Sequence, residues 1–469
     1  MHGRAPGLTV ALPRTALSRG RTCLNDDLNV EKNVEKNVEK NGEVPMTLDQ
    51  PHRAVRSRAR RRPSRSLFGA LLALALAAAP VGTARAATPS ANAPGTRVSA
   101  WSPSMTTGGP TFENQTIRMV VHSSVAGSRA RITLSNRYSP GPLEVAAANV
   151  AVQAHGGKAR PGTARRITFG GSDRVTVPAG DEVVSDVVPI SVEAGQNLLV
   201  SLYVPGATGM STWHSDAFDT TYTASGDRTG DDSAAGFVTT TTSWYYLAGL
   251  DVLSPTAKGT VVAFGDSITD GYHSSTGTYT RWPDVLGRRL EAEPGPQRLS
   301  VVDAGIGGNR VLTDVPNPWQ GVSALKRFRH DALGQPGVKD VILFEGINDI
   351  GNNAGPDGGP LTAQDLIDGW RTLVDEAHAA GVRVVGATLM PVKGNGYYTP
   401  AAEALRRSVN DWIRTGGAFD GVIDFDRVMR DPADPSALNP AYDSGDHIHP
   451  DDAGMKAMAD AIDLRLLRH

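Results

Sequence analysis

The chain has 469 residues and a formal net charge of −2, too long for one ordinary domain and too evenly charged for a dedicated nucleic-acid binder. The balance conceals an asymmetry: residues 1–86 carry 15 Lys+Arg against 7 Asp+Glu, which leaves the remainder near −10 and repels a phosphate backbone. That remainder, about 380 residues, is long enough for two hydrophobic cores.

Residues 1–45 include three copies of Asn-Val-Glu-Lys, from Asn29 to Lys40, ahead of Met46. They read as a spurious or disordered N-terminal extension. After Met46, Arg60, Arg61, Arg62 and Arg65 precede an apolar run from Leu67 to Gly82, and Ala84-Arg85-Ala86 places small residues at a cleavage position. The pattern predicts a signal peptide over 46–86 rather than a membrane span, because the run is short and Pro80 interrupts it. The expected product is secreted and extracellular, with no stable membrane anchor after cleavage. The lone cysteine, Cys23, lies in the removable part, so the exported chain cannot form a disulfide and relies on core burial.

A Pro/Ala/Ser-rich linker at 87–97 leads into a region of period-two patterning, 98–253. Ile117, Met119 and Val121 alternate with polar neighbours, and so do Ala130, Ile132 and Leu134, with Gly127-Ser128 between them as the turn of an expected hairpin. Further strands are expected at 150–152, 174–177 and 198–204. Pro140-Gly141, Gly170-Gly171 and Ala194-Gly195 punctuate them, with no helical stretch between, so an all-β sandwich or jelly roll is predicted.

From 254 to 469 apolar runs alternate with amphipathic segments. Val261–Phe264, Leu299–Val302, Val341–Phe344, Val382–Leu389 and Val422–Phe425 read as buried parallel strands with helices between them. Leu366, Trp370, Leu373, Val374 and Ala377 share one helix face, started by Thr362 and Asp365 and stopped by Gly381. Leu405, Val409, Trp412 and Ile413 form a second apolar stripe. A last helix carries Met455, Met458, Ile462 and Leu466, with Pro450 at its first position.

In an open parallel sheet, chemistry sits where strands end and helices begin. The first strand ends in Gly265-Asp266-Ser267, the second leads to Gly305-Ile306-Gly307-Gly308-Asn309, and the third to Gly346-Ile347-Asn348-Asp349. These offer a hydroxyl, accessible backbone N–H groups and a side-chain amide at one edge. Near the C-terminus, Asp446 precedes His449 by three residues, placed to fix its tautomer and offset its charge. Singly, each has a plainer reading as a cap or a turn; their convergence carries the argument.

These four blocks, in order, resemble those of the SGNH/GDSL hydrolase family. The resemblance covers the second region and implies a flavodoxin-like three-layer α/β/α fold. It implies Ser267 as nucleophile, His449 as base and then acid, and Asp446 as the orienting carboxylate. The Ser267 and Gly308 backbone N–H groups and the Asn348 amide would form the oxyanion hole. No Gly stands two places after Ser267, which argues against the α/β-hydrolase elbow. The stretches Gly305–Leu312, Phe344–Gly351 and Tyr442–Pro450 further resemble a secreted actinobacterial branch of arylesterases and xylan-associated acyl esterases whose members carry an N-terminal β-rich domain.

The expected function is a secreted serine esterase that acts through an acyl-enzyme on short-chain acyl or aryl esters, or on acyl groups of a plant polysaccharide. It calls for no cofactor, no metal and no nucleic acid. The alternatives are a lipase or lysophospholipase, and a glycan-binding protein with secondary hydrolase activity in which Trp213, Trp244, Tyr245 and Tyr246 stack on sugar; such alternating strand aromatics are more often core. A metal site built from Asp443, Asp446, His447 and His449 is a further alternative. Trp319, Tyr397 and Tyr398, in loops after strand ends, are the expected substrate-pocket walls.

Overall fold

The period-two segments form strands that bury one face. In the computed structural model, which describes residues 95–293 and 298–467, Thr96–Trp101, Leu247–Ser254, Gly127–Ser135, Glu182–Val184 and Val188–Val192 make one antiparallel sheet. A second is built around Gln115–His122, Asn197–Val204 and Ala147–His155. Val98, Ile132, Leu134, Leu250 and Val252 from the first sheet share one apolar cluster with Ile117, Met119, Val121, Val150, Leu198 and Val200 from the second. Each such side chain, fully buried, contributes about 1.5–3 kcal/mol. No helix occurs between residues 95 and 265.

One expectation fails here. Gln115–His122 and Gly127–Ser135 are both strands, but they belong to different sheets and do not pair as a hairpin. Alternation fixes which face of a strand is buried and says nothing of its neighbour, and these two apolar faces meet across the core instead of lying side by side.

Leu247–Ser254 is followed after two residues by Ala257–Gly265, the first of five parallel strands. The others are Arg298–Gly305, Val338–Phe344, Arg383–Ala387 and Gly421–Ile423, and the spatial order is second, first, third, fourth, fifth. This order, 2-1-3-4-5, is that of flavodoxin-like sheets, whose crevice opens at the carboxyl end of the first strand. Val261, Val262, Ala263 and Phe264 have no exposed surface, as expected for a central strand covered on both faces.

The helices follow their sequence signals. Ala363–Ala379 is opened by Thr362, whose hydroxyl accepts from the Asp365 N–H while the Asp365 carboxylate accepts from the Thr362 N–H. Its Leu366, Trp370, Leu373 and Ala377 are buried, and the Trp370 indole donates to the Glu345 carbonyl. Pro400–Thr415 packs against it, with Trp412 stacked on Trp370. Trp282–Ala292 packs against Arg298–Gly305 and the last helix, Asp452–Ala461.

The last helix starts later than its proline suggests. Asp451 is the N-cap, its carboxylate accepting from the Gly454 N–H, and Pro450 pairs with Asp443 in an isolated bridge. A side-chain cap satisfies an orphan N–H, which a proline at the first position does not. Ile462 ends this helix, and Leu466 lies in a following 3₁₀ turn.

From residue 95 onward both regions lie in one compact unit. Ser99 Oγ donates to Gln335, the Arg327 guanidinium reaches Ser104, and the Tyr279 ring stacks on His122 at 3.7 Å. The extension at 1–45, the signal peptide at 46–86, Cys23 and most of the 87–97 linker lie outside the described residues.

Candidate active site

Ser267 opens a one-turn helix, Ser267–Asp270, directly after the central strand. Asp266 caps it, accepting from the Ile268 N–H at 3.0 Å. Burial pushes the Asp266 carboxyl up to about 6, with that bond opposing. Gly265 is required: a Cβ there would lie 2.3 Å from the Phe344 carbonyl oxygen and the Thr269 hydroxyl.

Ser267 Oγ lies 2.7 Å from His449 Nε2, and His449 Nδ1 lies 2.5 Å from Asp446 Oδ2, so residues 182 positions apart meet above one sheet edge. A carboxylate only accepts, so Nδ1 carries the proton and the Nε2 lone pair faces the hydroxyl. Asp446 Oδ1 also accepts from the Ile448 and His449 N–H groups. Burial works against its charge, but these hydrogen bonds with the His449 ring and backbone outweigh it and hold the carboxyl well below the usual carboxylate range.

Gly308 and Asn348 face the same space. A cavity of about 640 Å³ is lined by Ser267, Gly307, Gly308, Asn348 and His449 together with Trp319 and Tyr397. Gly308 has φ +71°, a backbone conformation that favours glycine, and a Cβ there would lie 1.9 Å from the Gln320 amide nitrogen and displace that side chain. Asn348 is buried at the start of the helix Ile347–Asn352. Its Nδ2 donates to the Asn309 carbonyl at 2.9 Å, and its Oδ1 accepts from the Tyr397 hydroxyl at 3.2 Å, which fixes the amide with its N–H bonds toward the glycine loop. Asp349 ties that loop down, accepting from Val311 and Leu312, while burial raises its carboxyl to about 7 against those bonds.

Of the three expected pocket walls, Trp319 and Tyr397 line the cavity and Tyr398 does not. Tyr398 packs half-buried against the core of the α/β region, after a turn closed by its N–H donating to the Asn395 carbonyl. The four residues of the metal alternative divide into two pairs. His447 Nδ1 bonds Asp443 at 2.6 Å, whereas both His449 ring nitrogens are taken by Asp446 and Ser267.

Several site residues escaped the sequence reading. His273 Nε2 sits 3.2 Å from Asp446 Oδ2, and Tyr272 packs against the His449 ring. Both follow Ser267 closely, which was the available signal. Arg327 had none. Its buried guanidinium donates to the carbonyls of Gly265 and Ala304, to Asn309 Oδ1 and to Glu345, and lies over the Phe264 ring. One cation therefore ties together the carboxyl ends of the first three strands, beneath the serine and the glycine loop.

Residues 263–457 match the GDSL-like Lipase/Acylhydrolase family. No curated protein matches the chain. Solved structures similar to it include the lipase/acylhydrolase from Enterococcus faecalis, at 21% identity over 43% of this chain and 92% of that one, TM-score 0.33. Another is a carbohydrate acetylesterase family member from Sinorhizobium meliloti, at 17% identity over 45% of this chain and 99% of that one, TM-score 0.34. A third is a GDSL-like lipase from Bacteroides thetaiotaomicron VPI-5482, at 19% identity over 45% of this chain and 88% of that one, TM-score 0.33. A strand-rich N-terminal region is thus followed by an α/β region, residues 263–457 of which match the GDSL-like lipase/acylhydrolases, and this is consistent with a carboxylic ester hydrolase.

Proposed function

We propose that the protein is a serine esterase that hydrolyses carboxylic esters through an acyl-enzyme, with its α/β region arranged in three layers and its strand-rich region as a sandwich. The single observation that carries this reading is the continuous bonded path from Asp446 through His449 to Ser267, opening into the cavity. Ser267 Oγ attacks the acyl carbon while His449 Nε2 takes the hydroxyl proton. The oxyanion is held by the Ser267 and Gly308 N–H groups and the Asn348 amide; one such donor is worth about 2.7–4 kcal/mol. Collapse expels the alcohol, which receives the proton from His449. Water, activated by the same imidazole, then releases the acid.

Secretion is part of this proposal and rests on the Arg60–Arg65 cluster, the apolar run and Ala84-Arg85-Ala86. N-terminal sequencing of protein recovered from the culture medium tests it, with a new terminus at Ala87 expected. For the chemistry, a series of p-nitrophenyl esters of increasing acyl length is the test. Turnover in the wild type should fall by at least about 10⁴-fold in Ser267→Ala at unchanged thermal stability, and wild-type rates in that variant would sink the assignment.

A further inference from the structure

The active-site cavity is not made by the α/β region alone. Trp213, Ser215 and Asp216, from the strand Ser211–His214 and the turn after it, form part of its wall. Trp213 is held rigidly: its indole N–H donates to the Thr107 carbonyl at 2.8 Å, and its ring lies nearly parallel to Tyr245. Trp244, Tyr245 and Tyr246 are at most 4% exposed and belong to the core. Trp213 is the one member of that aromatic group among the residues that line the cavity.

Asp216 sits beside the oxyanion loop. A Cβ built on Gly307 would lie 3.8 Å from Asp216 Oδ2 and 3.3 Å from the Trp319 ring. The carboxylate accepts from the Ser215 hydroxyl at 2.6 Å, and a carboxylate has further lone pairs with which to accept from a ligand hydroxyl. The wall is locked to the catalytic turn by His214. Its Nδ1 lies 2.7 Å from the Ser104 carbonyl and its Nε2 3.0 Å from Asp270, in the same helical turn as Ser267. Among the described residues that line the cavity there is no Lys or Arg, while Asp216 and Asp446 are present.

Building on the esterase reading, we propose that the strand-rich region holds the alcohol half of the ester, through Trp213 and Asp216, and that this alcohol is an uncharged ring polyol, a sugar. The indole face covers the C–H face of a pyranose and the carboxylate accepts from its hydroxyls. An anionic headgroup would meet two carboxylates and no cation. Trp213 and Asp216 are therefore specificity-determining residues contributed from outside the segment 263–457.

The test compares one acyl group on two alcohols: an acetylated methyl pyranoside and ethyl acetate, with kcat and KM measured for each in the full-length protein. Wild type should prefer the pyranoside ester. Trp213→Ala and Asp216→Asn should each lower the ratio of the two kcat/KM values about tenfold, mainly through KM for the pyranoside, and Trp213→Phe should restore part of the loss. Should Trp213→Ala fail to fold, Trp213→Phe and Asp216→Asn still report on the same ratio. An unchanged ratio in the variants, or a wild type with no preference for the pyranoside, overturns the proposal while leaving ester hydrolysis intact. A wild type inactive on every ester would instead remove the reading on which it rests.

Discussion

The two regions of the molecule reach the same cavity by different routes. In the α/β region Ser267, Gly308 and Asn348 stand two to four residues past a strand end, so the fold carries them to one edge as a consequence of parallel order. In the strand-rich region Trp213 and Asp216 arrive through an antiparallel pairing of Ser211–His214 with Thr106–Gly109, about a hundred residues apart, and through docking against the Pro318–Gln320 turn. Chemistry encoded at strand ends is local and repeats along the chain. Chemistry encoded by pairing partners is not.

The strongest way to break this comparison is to disable the local side alone. Asp446→Asn keeps the size of the side chain but replaces an acceptor-only group with an amide, which permits the wrong imidazole tautomer. About 10⁴-fold should be lost from kcat with little change in KM, measured on p-nitrophenyl acetate. Thermal melting should stay close to wild type, because Asp446 is 30% exposed and has no role in the core. A loss of only a few-fold would mean that His449 is oriented by something other than Asp446.

A smaller effect probes what joins the two halves. Arg327 is 1% exposed and bonds three strand ends in the α/β region as well as Ser104 in the strand-rich region. Arg327→Met fills the volume over Phe264 but leaves these acceptors unpaired, so a loss of about 3 kcal/mol is expected in urea unfolding. Both regions should unfold in one transition, as befits a compact unit. Two separated transitions in the wild type would show that the strand-rich region is an independent domain and that the guanidinium does not couple it.

The same contrast decides how much was legible in the sequence. The five parallel strands and the capping box at Thr362 are readable because each depends on residues within a few positions or on the fixed logic of a parallel sheet, whereas the meeting of Ser267 with Asp446 and with His449, 182 positions away, is expected from the resemblance of the four blocks. The strands of the first region are equally readable, but not their partners: period two gives a strand's buried face and leaves its sheet open, so the alternation over 117–134 does not decide that those two strands pair. Trp213 carried the same sequence signature as its neighbours Trp244 and Tyr245, and only the folded pairing separates a cavity wall from a core residue. Arg327 and His214 act through bonds to distant main chain, which leave no pattern in the sequence at all.

His214 supplies the mildest test, and the one that titrates the junction itself. Both its ring nitrogens face acceptors, the Ser104 carbonyl and Asp270 Oδ1, so the protonated imidazole satisfies both bonds. Burial opposes that charge, but the Asp270 carboxylate and the Ser104 carbonyl outweigh it and raise the group to about 9. A folded-state value above the unfolded 6.5 means that the stabilisation is complete below about pH 6.5 and is lost as pH rises through about 9. Asp270 is itself raised by burial, against the attraction of His214, so its own contribution is lost as pH rises. Glu345, raised by burial to about 8, and His330, raised to about 10 by its bonds to Asp331 and Glu182, change charge in the same range and lower stability with the same sign. Unfolding free energy should therefore fall between pH 8 and 10, with the His214 share on the order of 1 kcal/mol because the loss of one charge at a buried pair is partly offset by its desolvation. Nitrogen-15 spectra of the His214 ring should report an imidazolium at pH 8, where an exposed histidine is neutral. A neutral ring there would leave the wall of the cavity attached to the serine turn by packing and ordinary hydrogen bonds, with no ion pair at the junction.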